Sequence, residues 1–303
     1  MKPPPFVYHR PTTLEETLDV LAETGSDGKV LAGGQSLVPL MSMRLAAPEH
    51  LIDINHVRGL GGVRSDNIGV WVGAVARHAD VERDEAAFEA VPLLRQALVH
   101  VAHPTIRNRG TTVGSLAHAD PSGEMTAVLA LLGGTVTLRR QGAERTVGAD
   151  DFFLGPLESA VEPGELAVEA FFPAPSDRTG SAWVEVSRRH GDYAVCGVGA
   201  LVTLDDDRHI VAARVGLISV GPTPVVLDVS GPLAGTHVAR GAHELRDQPV
   251  DDVFAAAGRL VGAAVDPEPD IHATAEYRRQ LAEALAVRAL WEAAGQAVEV
   301  HRE

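Results

Sequence analysis

A chain of 303 residues, 45% hydrophobic and 22% charged, is an ordinary globular protein long enough to bury a large core in two domains or one large one. Its 26 basic and 41 acidic residues leave a net charge of −15 with no basic cluster, which argues against nucleic acid as a partner and mainly implies solubility. The only cysteine, Cys196, excludes an internal disulfide and a cluster bound by four cysteines of this chain, and it fits a reducing cytosol.

The opening Met1-Lys2-Pro3-Pro4-Pro5 lacks the apolar stretch of a secretory signal, so a cytoplasmic protein is expected. Thr13 and Glu16 form a capping box, and Leu14, Leu18 and Leu21 follow at helical spacing until Gly25. Lys29 to Ala32 reads as a short strand ending in a glycine turn, Ala32-Gly33-Gly34-Gln35-Ser36. Ser36 is placed to cap a helix carrying Leu37, Leu40, Met41 and Leu45, which Pro48 ends; Leu51 to Ile54 is the next strand. This alternation predicts a small α/β unit ending near Asn55 or His56.

A second unit opens with the glycines between Gly59 and Gly62 and the strand Val70 to Gly73. It runs through a helical stretch, Pro92 to Val101, and a polar loop, Thr105 to Gly110, into a second glycine turn, Thr111-Thr112-Val113-Gly114-Ser115. A helix from about Ser122 to Leu132 and strands near Thr135 to Leu138 and Leu166 to Phe171 follow. Pro173, Pro175, Ser176 and Asp177 read as a linker. The most apolar run, Ala127 to Leu138, is interrupted by Gly133-Gly134 and is too short to span a bilayer. From Ser181 onward, Tyr193 to Leu204 and Ile210 to Val220 flank Asp205-Asp206-Asp207-Arg208, a hairpin signature. The tail reads as helices, Val253 to Val261 and Thr274 to Ala294, with Thr274 as a cap.

The chemistry concentrates in the two glycine turns. Glycine has no Cβ to hold an anion away, so bare backbone N–H groups can converge on one. Two such turns can grip the two ends of one pyrophosphate, which points to a dinucleotide. Neither reads G-x-G-x-x-G, so the Rossmann fingerprint is absent. Each also has a plain reading as a loop that uses glycine for positive φ. Arg107 and Arg109 either offset diphosphate charge or solvate their loop; Asp120 either accepts from a ligand hydroxyl or caps the helix at Ser122.

Ser115, His118 and Asp120 lie too close in sequence for a hydrolytic triad, and there is no G-x-S-x-G elbow. His100 and His103 share a face without a third ligand, which fits a surface or loop pair better than a metal site. Gly197-Val198-Gly199 sits inside a predicted strand with Val202 at the last fingerprint position, so packing accounts for it. Tyr193, entering a strand after the polar Arg188-Arg189-His190-Gly191-Asp192, is either a boundary aromatic or a ring covering a flat cofactor.

Several segments together resemble one family. They are Phe6-Val7-Tyr8-His9-Arg10-Pro11, Ala32 to Ser36, Leu51-Ile52-Asp53-Ile54, Ile106 to Gly110, Thr111 to Pro121, Arg188 to Ala194 and Tyr277-Arg278-Arg279. In order, spacing and near end-to-end coverage the chain resembles the FAD-binding medium subunit of the molybdenum hydroxylases, the family of bacterial carbon monoxide, nicotine, caffeine and xanthine dehydrogenases. The resemblance implies that Ala32, Gly33, Gly34, Gln35, Ser36 and Leu37, with Thr111, Thr112, Val113, Gly114 and Ser115, hold the FAD diphosphate. Val113 stands where the family usually has the first of two adjacent glycines. Asp120 and Glu124 are then expected near the ribityl or adenosine part, Tyr193 near the isoalloxazine ring, and Leu166 near a backbone contact.

The implied architecture is an α+β, two-subdomain FAD-binding fold of the vanillyl-alcohol oxidase (PCMH) type, followed by a C-terminal domain with a three-stranded antiparallel sheet and helices. Its expected bounds are 1–177 for the FAD-binding domain (subdomains about 1–56 and 57–177) and 178–303 for the C-terminal domain. The implied role is an electron-transfer subunit with no catalytic residue and no metal site of its own. Partners are a large molybdopterin-binding subunit and a small [2Fe–2S] subunit, in a dimer of heterotrimers, with no nucleic acid and no transmembrane segment. Two other readings stay open: a self-contained flavin reductase or oxidase, and a nucleotide-binding module without redox chemistry.

Overall fold

The protein is described by a computed structural model covering residues 2–239 and 252–300. In chain order it begins β1 (Val7–His9), α1 (Leu14–Thr24), β2 (Gly28–Leu31), α2 (Leu37–Ser42), β3 (His50–Asp53), β4 (Val63–Asp66) and β5 (Gly69–Gly73). Helices α3 (His78–Arg83), α4 (Glu85–Ala90), α5 (Pro92–Leu98), α6 (Pro104–Arg107), α7 (Thr112–His118) and α8 (Glu124–Leu132) follow. Next come β6 (Thr135–Arg140), β7 (Ala143–Gly148), α9 (Ala149–Phe152), β8 (Phe153–Gly155), β9 (Glu158–Ser159) and β10 (Leu166–Pro173). The remainder is β11 (Thr179–Ser187), β12 (Ala194–Leu204), β13 (Ile210–Ile218), β14 (Val225–Asp228), α10 (Ser230–Leu233), α11 (Asp252–Ala264) and α12 (Ala275–Val300).

These elements form two compact units, neither contiguous in sequence. The first takes the chain up to Ala90, then His103–Ala119 and Gly133–Pro173. It holds a parallel sheet in the order β1-β3-β2 and an antiparallel sheet in the order β4-β5-β10-β6-β7. Val70, Val72, Val136, Leu138, Ala170 and Phe172 recur at the two-residue period of strands and are fully buried, so they form the core of the second sheet. Helix α1 starts as its sequence predicts: Thr13 Oγ1 accepts the Glu16 N–H, and the Glu16 carboxylate accepts the Thr13 N–H.

Two local expectations are corrected. Ser36 has helical backbone angles and its side chain makes no cap bond, so α2 is uncapped. That helix also stops at Ser42, because Arg44 turns into the left-handed region at φ 61 and leaves Leu45 73% exposed. The second glycine turn is the first turn of a helix, α7, with Thr111 as its N-cap. Seven residues are too few for a helical period to show in sequence.

The second unit takes Val91–Ala102, Asp120–Leu132 and the chain from Ala174 onward. Its antiparallel sheet runs β11-β12-β13-β14. The expected C-terminal sheet of three strands is therefore four-stranded, since Val225–Asp228 pairs with Arg214 to Leu217; a four-residue strand carries too little alternation to read. The β12–β13 hairpin forms where the acidic turn predicts it, with Asp205 Oδ1 accepting the N–H groups of Asp207 and His209.

Cys196, Val198, Ala200 and Val202 of β12 face the alanine-rich side of α12. On the opposite face Gly197 and Gly199 leave room for the Trp183 ring, and Gly199 and Gly216 for Leu131 of α8. Helices α5 and α8 pack on β11 and β13. The expected boundary after residue 177 runs along the chain, whereas the compact units draw these two helices from before it. The expected C-terminal domain also includes 240–251 and 301–303, which lie outside the described residues.

Candidate cofactor site

Strand β2 delivers the chain into the Ala32 to Ser36 turn. Gly34 adopts φ 70, the left-handed region that a side chain disfavours. Its carbonyl accepts the Val38 N–H at 3.1 Å, and Gln35 Nε2 donates to the Gly33 carbonyl at 2.9 Å. Among the described residues none accepts from the N–H groups of Gly34, Gln35 or Ser36, so successive donors remain open as in an anion nest. The second segment offers the N-terminus of α7, where backbone N–H groups and the helix dipole favour negative charge. Thr111 Oγ1 takes the Gly114 N–H at 3.2 Å, and a Cβ on Gly114 would collide with that cap oxygen.

The two segments adjoin. A Cβ on Gly33 would strike the Arg109 carbonyl oxygen and lie 2.6 Å from Gly110 Cα; one on Gly114 would lie 3.9 Å from Ala32 Cβ. Gly33 therefore admits the protein's own backbone, where the sequence suggested room for a phosphate. The effect is to bring both turns to one place, as a single diphosphate requires.

A polar chain missed by sequence reasoning runs alongside. Tyr8 donates to Asp53 Oδ2 at 2.6 Å, and Asp53 Oδ1 accepts the Asn55 N–H at 2.9 Å and Nδ2 at 2.6 Å. Asn55 Nδ2 also donates to the Ala32 carbonyl at 2.8 Å. Arg77 donates through Nη2 to Asn55 Oδ1 and through Nη1 to the Arg109 carbonyl, each at 2.6 Å. Burial would raise the Asp53 carboxyl, but the bonds from Tyr8 and Asn55 outweigh it and hold the group below its usual range. The sequence placed Tyr8 and Asp53 in two of the family-like segments and Asn55 at a unit boundary, but nothing local joined the three.

Arg107 is paired within the protein. It is buried, and its Nε and Nη2 engage the two Glu82 carboxylate oxygens at 2.8 and 3.2 Å. Thr112 Oγ1 lies 3.1 Å from His78 Nδ1; desolvation, then the Arg107 charge, holds that buried imidazole down at about 4, so it is neutral. Leu166 is buried at the start of β10 opposite Arg139, which leaves only its backbone to offer a ligand.

The remaining expected residues form a second group, in the second unit. Asp120 Oδ1 accepts the Ser122 N–H at 2.8 Å, and Glu124 is buried in the first turn of α8. The Tyr193 residue is 69% exposed, but its hydroxyl lies within reach of the Asp120 and Glu124 charges. Partial desolvation, the charges of Asp120 and Glu124 and a hydrogen bond to Asp120 hold the phenol above its usual range.

Ser219, at φ 63, ties the two segments together. Its N–H donates to the Pro121 carbonyl at 2.9 Å, and its hydroxyl bonds Ser122 Oγ at 2.9 Å and the Ala194 carbonyl at 2.8 Å. Arg278, buried, donates through Nη1 to the Val195 and Ser219 carbonyls at 2.6 and 3.0 Å and through Nη2 to Asp270 at 2.7 Å. Among the described residues no three His, Cys, Asp or Glu side chains gather to hold a metal, and no helix is long and apolar enough to cross a membrane. Cys196 is fully buried and its thiol is pushed up to about 12, chiefly by desolvation.

Residues 4–175 match the family described as the FAD binding domain in molybdopterin dehydrogenase, and residues 181–293 the CO dehydrogenase flavoprotein C-terminal domain. The chain belongs to the FAD-binding medium subunits of the molybdenum hydroxylases. As a member of that family it is an oxidoreductase subunit whose cofactor is FAD. It is 37% identical to the alpha subunit of the 6-hydroxypseudooxynicotine dehydrogenase complex of Paenarthrobacter nicotinovorans, over 96% of this chain and 95% of that one. It is 38% identical to the caffeine dehydrogenase beta subunit of Pseudomonas sp. (strain CBB1), over 98% of both. The crystal structure of quinoline 2-oxidoreductase from Pseudomonas putida 86 contains a chain with TM-score 0.88 and 34% identity, covering 98% of this chain and 99% of that one. The α+β, two-domain FAD-binding architecture expected from the resemblance is the one observed, apart from the fourth C-terminal strand. Open donors, a helix N-terminus and the charge of Arg77 beside them fit the FAD diphosphate.

Proposed function

We propose that this medium subunit carries electrons from the [2Fe–2S] clusters of a small partner to an external acceptor, while a large molybdopterin-binding partner hydroxylates the substrate. The proposal includes a dimer of such heterotrimers in the cytoplasm. It also divides the chain into an FAD-binding domain over 1–177 and a C-terminal flavoprotein domain over 178–303. FAD, when bound, stores two electrons and releases them onward.

This chain's residues bind and orient the cofactor. Gly34, Gln35 and Ser36 offer N–H groups from one turn, flanked by Ala32, Gly33 and Leu37. Thr111, Thr112, Val113, Gly114 and Ser115 supply the helix terminus from the other. Asp120 and Glu124 are assigned to the ribityl or adenosine part, Tyr193 to the isoalloxazine ring and Leu166 to a backbone contact. The Tyr193 hydroxyl, a protonated phenol at neutral pH with or without its upward shift, is able to donate.

The observation that carries the reading is the packing of Gly33 against Arg109 and Gly110, because it makes two separate anion-binding turns adjacent. Its test is the flavin content of the full chain, purified with any subunits that accompany it. A yellow protein that releases FAD on denaturation is expected. Gly34→Val, which forces a β-branched side chain into φ 70, is expected to lose the flavin while remaining folded. A colourless parent, or a folded Gly34→Val protein with full flavin occupancy, overturns the assignment of the turn.

A further inference from the structure

We propose that Asn55 and Arg77 are positioning residues: together they form one strut that holds the two diphosphate turns at a fixed separation, so that FAD affinity depends on it. The inference rests on the reading of those turns as the diphosphate site.

Each end of the strut grips a carbonyl from one turn or its approach. Asn55 Nδ2 binds the Ala32 carbonyl, Arg77 Nη1 binds the Arg109 carbonyl, and Arg77 Nη2 joins the pair by binding Asn55 Oδ1. Asp53 anchors Asn55 through both its N–H and its Nδ2, and Tyr8 anchors Asp53. Gly33, next to Ala32, packs against the Arg109 carbonyl with no room for a Cβ, so the strut and this contact hold the same two turns together.

Two physical reasons connect this to an anion. A carbonyl oxygen left free beside a diphosphate repels it, and the strut engages both that border Gly33. Arg77 also lies close enough to Arg109 for the two cations to disfavour one another; desolvation and that repulsion lower the Arg77 pKa. A bound diphosphate relieves the repulsion. Fixing the turns in advance spares the ordering cost of binding.

The test uses the full chain as isolated, stripped of flavin and titrated with FAD, with the thermal midpoint of the stripped protein measured alongside. Asn55→Ala and Arg77→Ala are each expected to weaken FAD about tenfold or more. The double variant is expected to lose little beyond either single one, because both cut the same strut. Arg77→Lys, which keeps the charge but lacks the planar fork that spans Asn55 and Arg109, is expected to fall between parent and Arg77→Ala and serves if an alanine variant does not fold. Unchanged affinity in the folded variants, or losses that multiply in the double variant, overturns the strut. So does a loss of affinity that merely follows the thermal midpoint. Gly34→Val separates the two claims: if it too binds FAD normally, the diphosphate reading fails, and if it alone loses FAD, only the strut does.

Discussion

His78 is buried beside Arg107, so its protonation is costly and its pKa falls from 6.5 to about 4. As pH falls through the interval between those values, the unfolded chain takes up a proton that the folded chain refuses. Stability from this residue is therefore complete above the unfolded pKa and declines toward the folded one, by about 2 kcal/mol near pH 5. Glu185 works in the opposite direction: desolvation, against a Trp183 hydrogen bond, raises it to about 7, so stability falls as pH rises toward that value. The useful measurement is thus the difference between parent and His78→Gln. Urea unfolding at about pH 7 and about pH 5 is expected to show a smaller acid loss in the variant. Parallel behaviour at both pH values would exclude a buried neutral imidazole. His78 also shows how residue roles escape a linear reading, because its partners Thr112, Arg107 and Gly110 come from a separate stretch of chain.

At the scale of elements, β11 meets α12 through Gly180, where a Cβ would lie 2.9 Å from Ala297 Cα and strike the Ala293 carbonyl oxygen. The alanines of α12 serve the same close approach. Gly180→Val is expected to cost about 3 kcal/mol or more, since neither backbone can yield without parting sheet from helix. Gly231, with nothing near its missing Cβ, supplies the control: Gly231→Ala is expected to leave the thermal midpoint nearly unchanged. A Gly180→Val midpoint equal to that of the control would show the interface to be loose.

The same scale explains which elements were readable. Helix α1 carries its capping box and apolar period in eleven residues, and the β12–β13 hairpin carries two long apolar runs around an acidic turn. Helix α7 and strand β14 are too short for a period and are stabilised by tertiary partners instead.

For the whole molecule, the second unit depends on helices that precede it in sequence. Leu131 of α8 fills the space left by Gly199 and Gly216, and Gln96 of α5 bonds the Ser181 carbonyl at 3.0 Å and Gln296 at 3.1 Å. A fragment beginning at residue 178 lacks both helices and exposes one face of its sheet to water. It is expected to fail as a cooperatively folding monomer, judged by weak near-ultraviolet circular dichroism and a broad thermal transition. A sharp transition with native-like signals would show that α5 and α8 are dispensable.

Sequence alone was enough for the family, its FAD cofactor, the first glycine turn and most regular elements, because glycine placement, caps and apolar periods are local properties written in consecutive residues. Only the tertiary structure decided that Gly33 serves the approach of Arg109 and Gly110, that Arg107 is consumed by Glu82, and that Asn55 and Arg77 join the turns. Those facts depend on hydrogen bonds and close contacts between residues remote in sequence, and no local pattern encodes which distant carbonyl a side chain will reach.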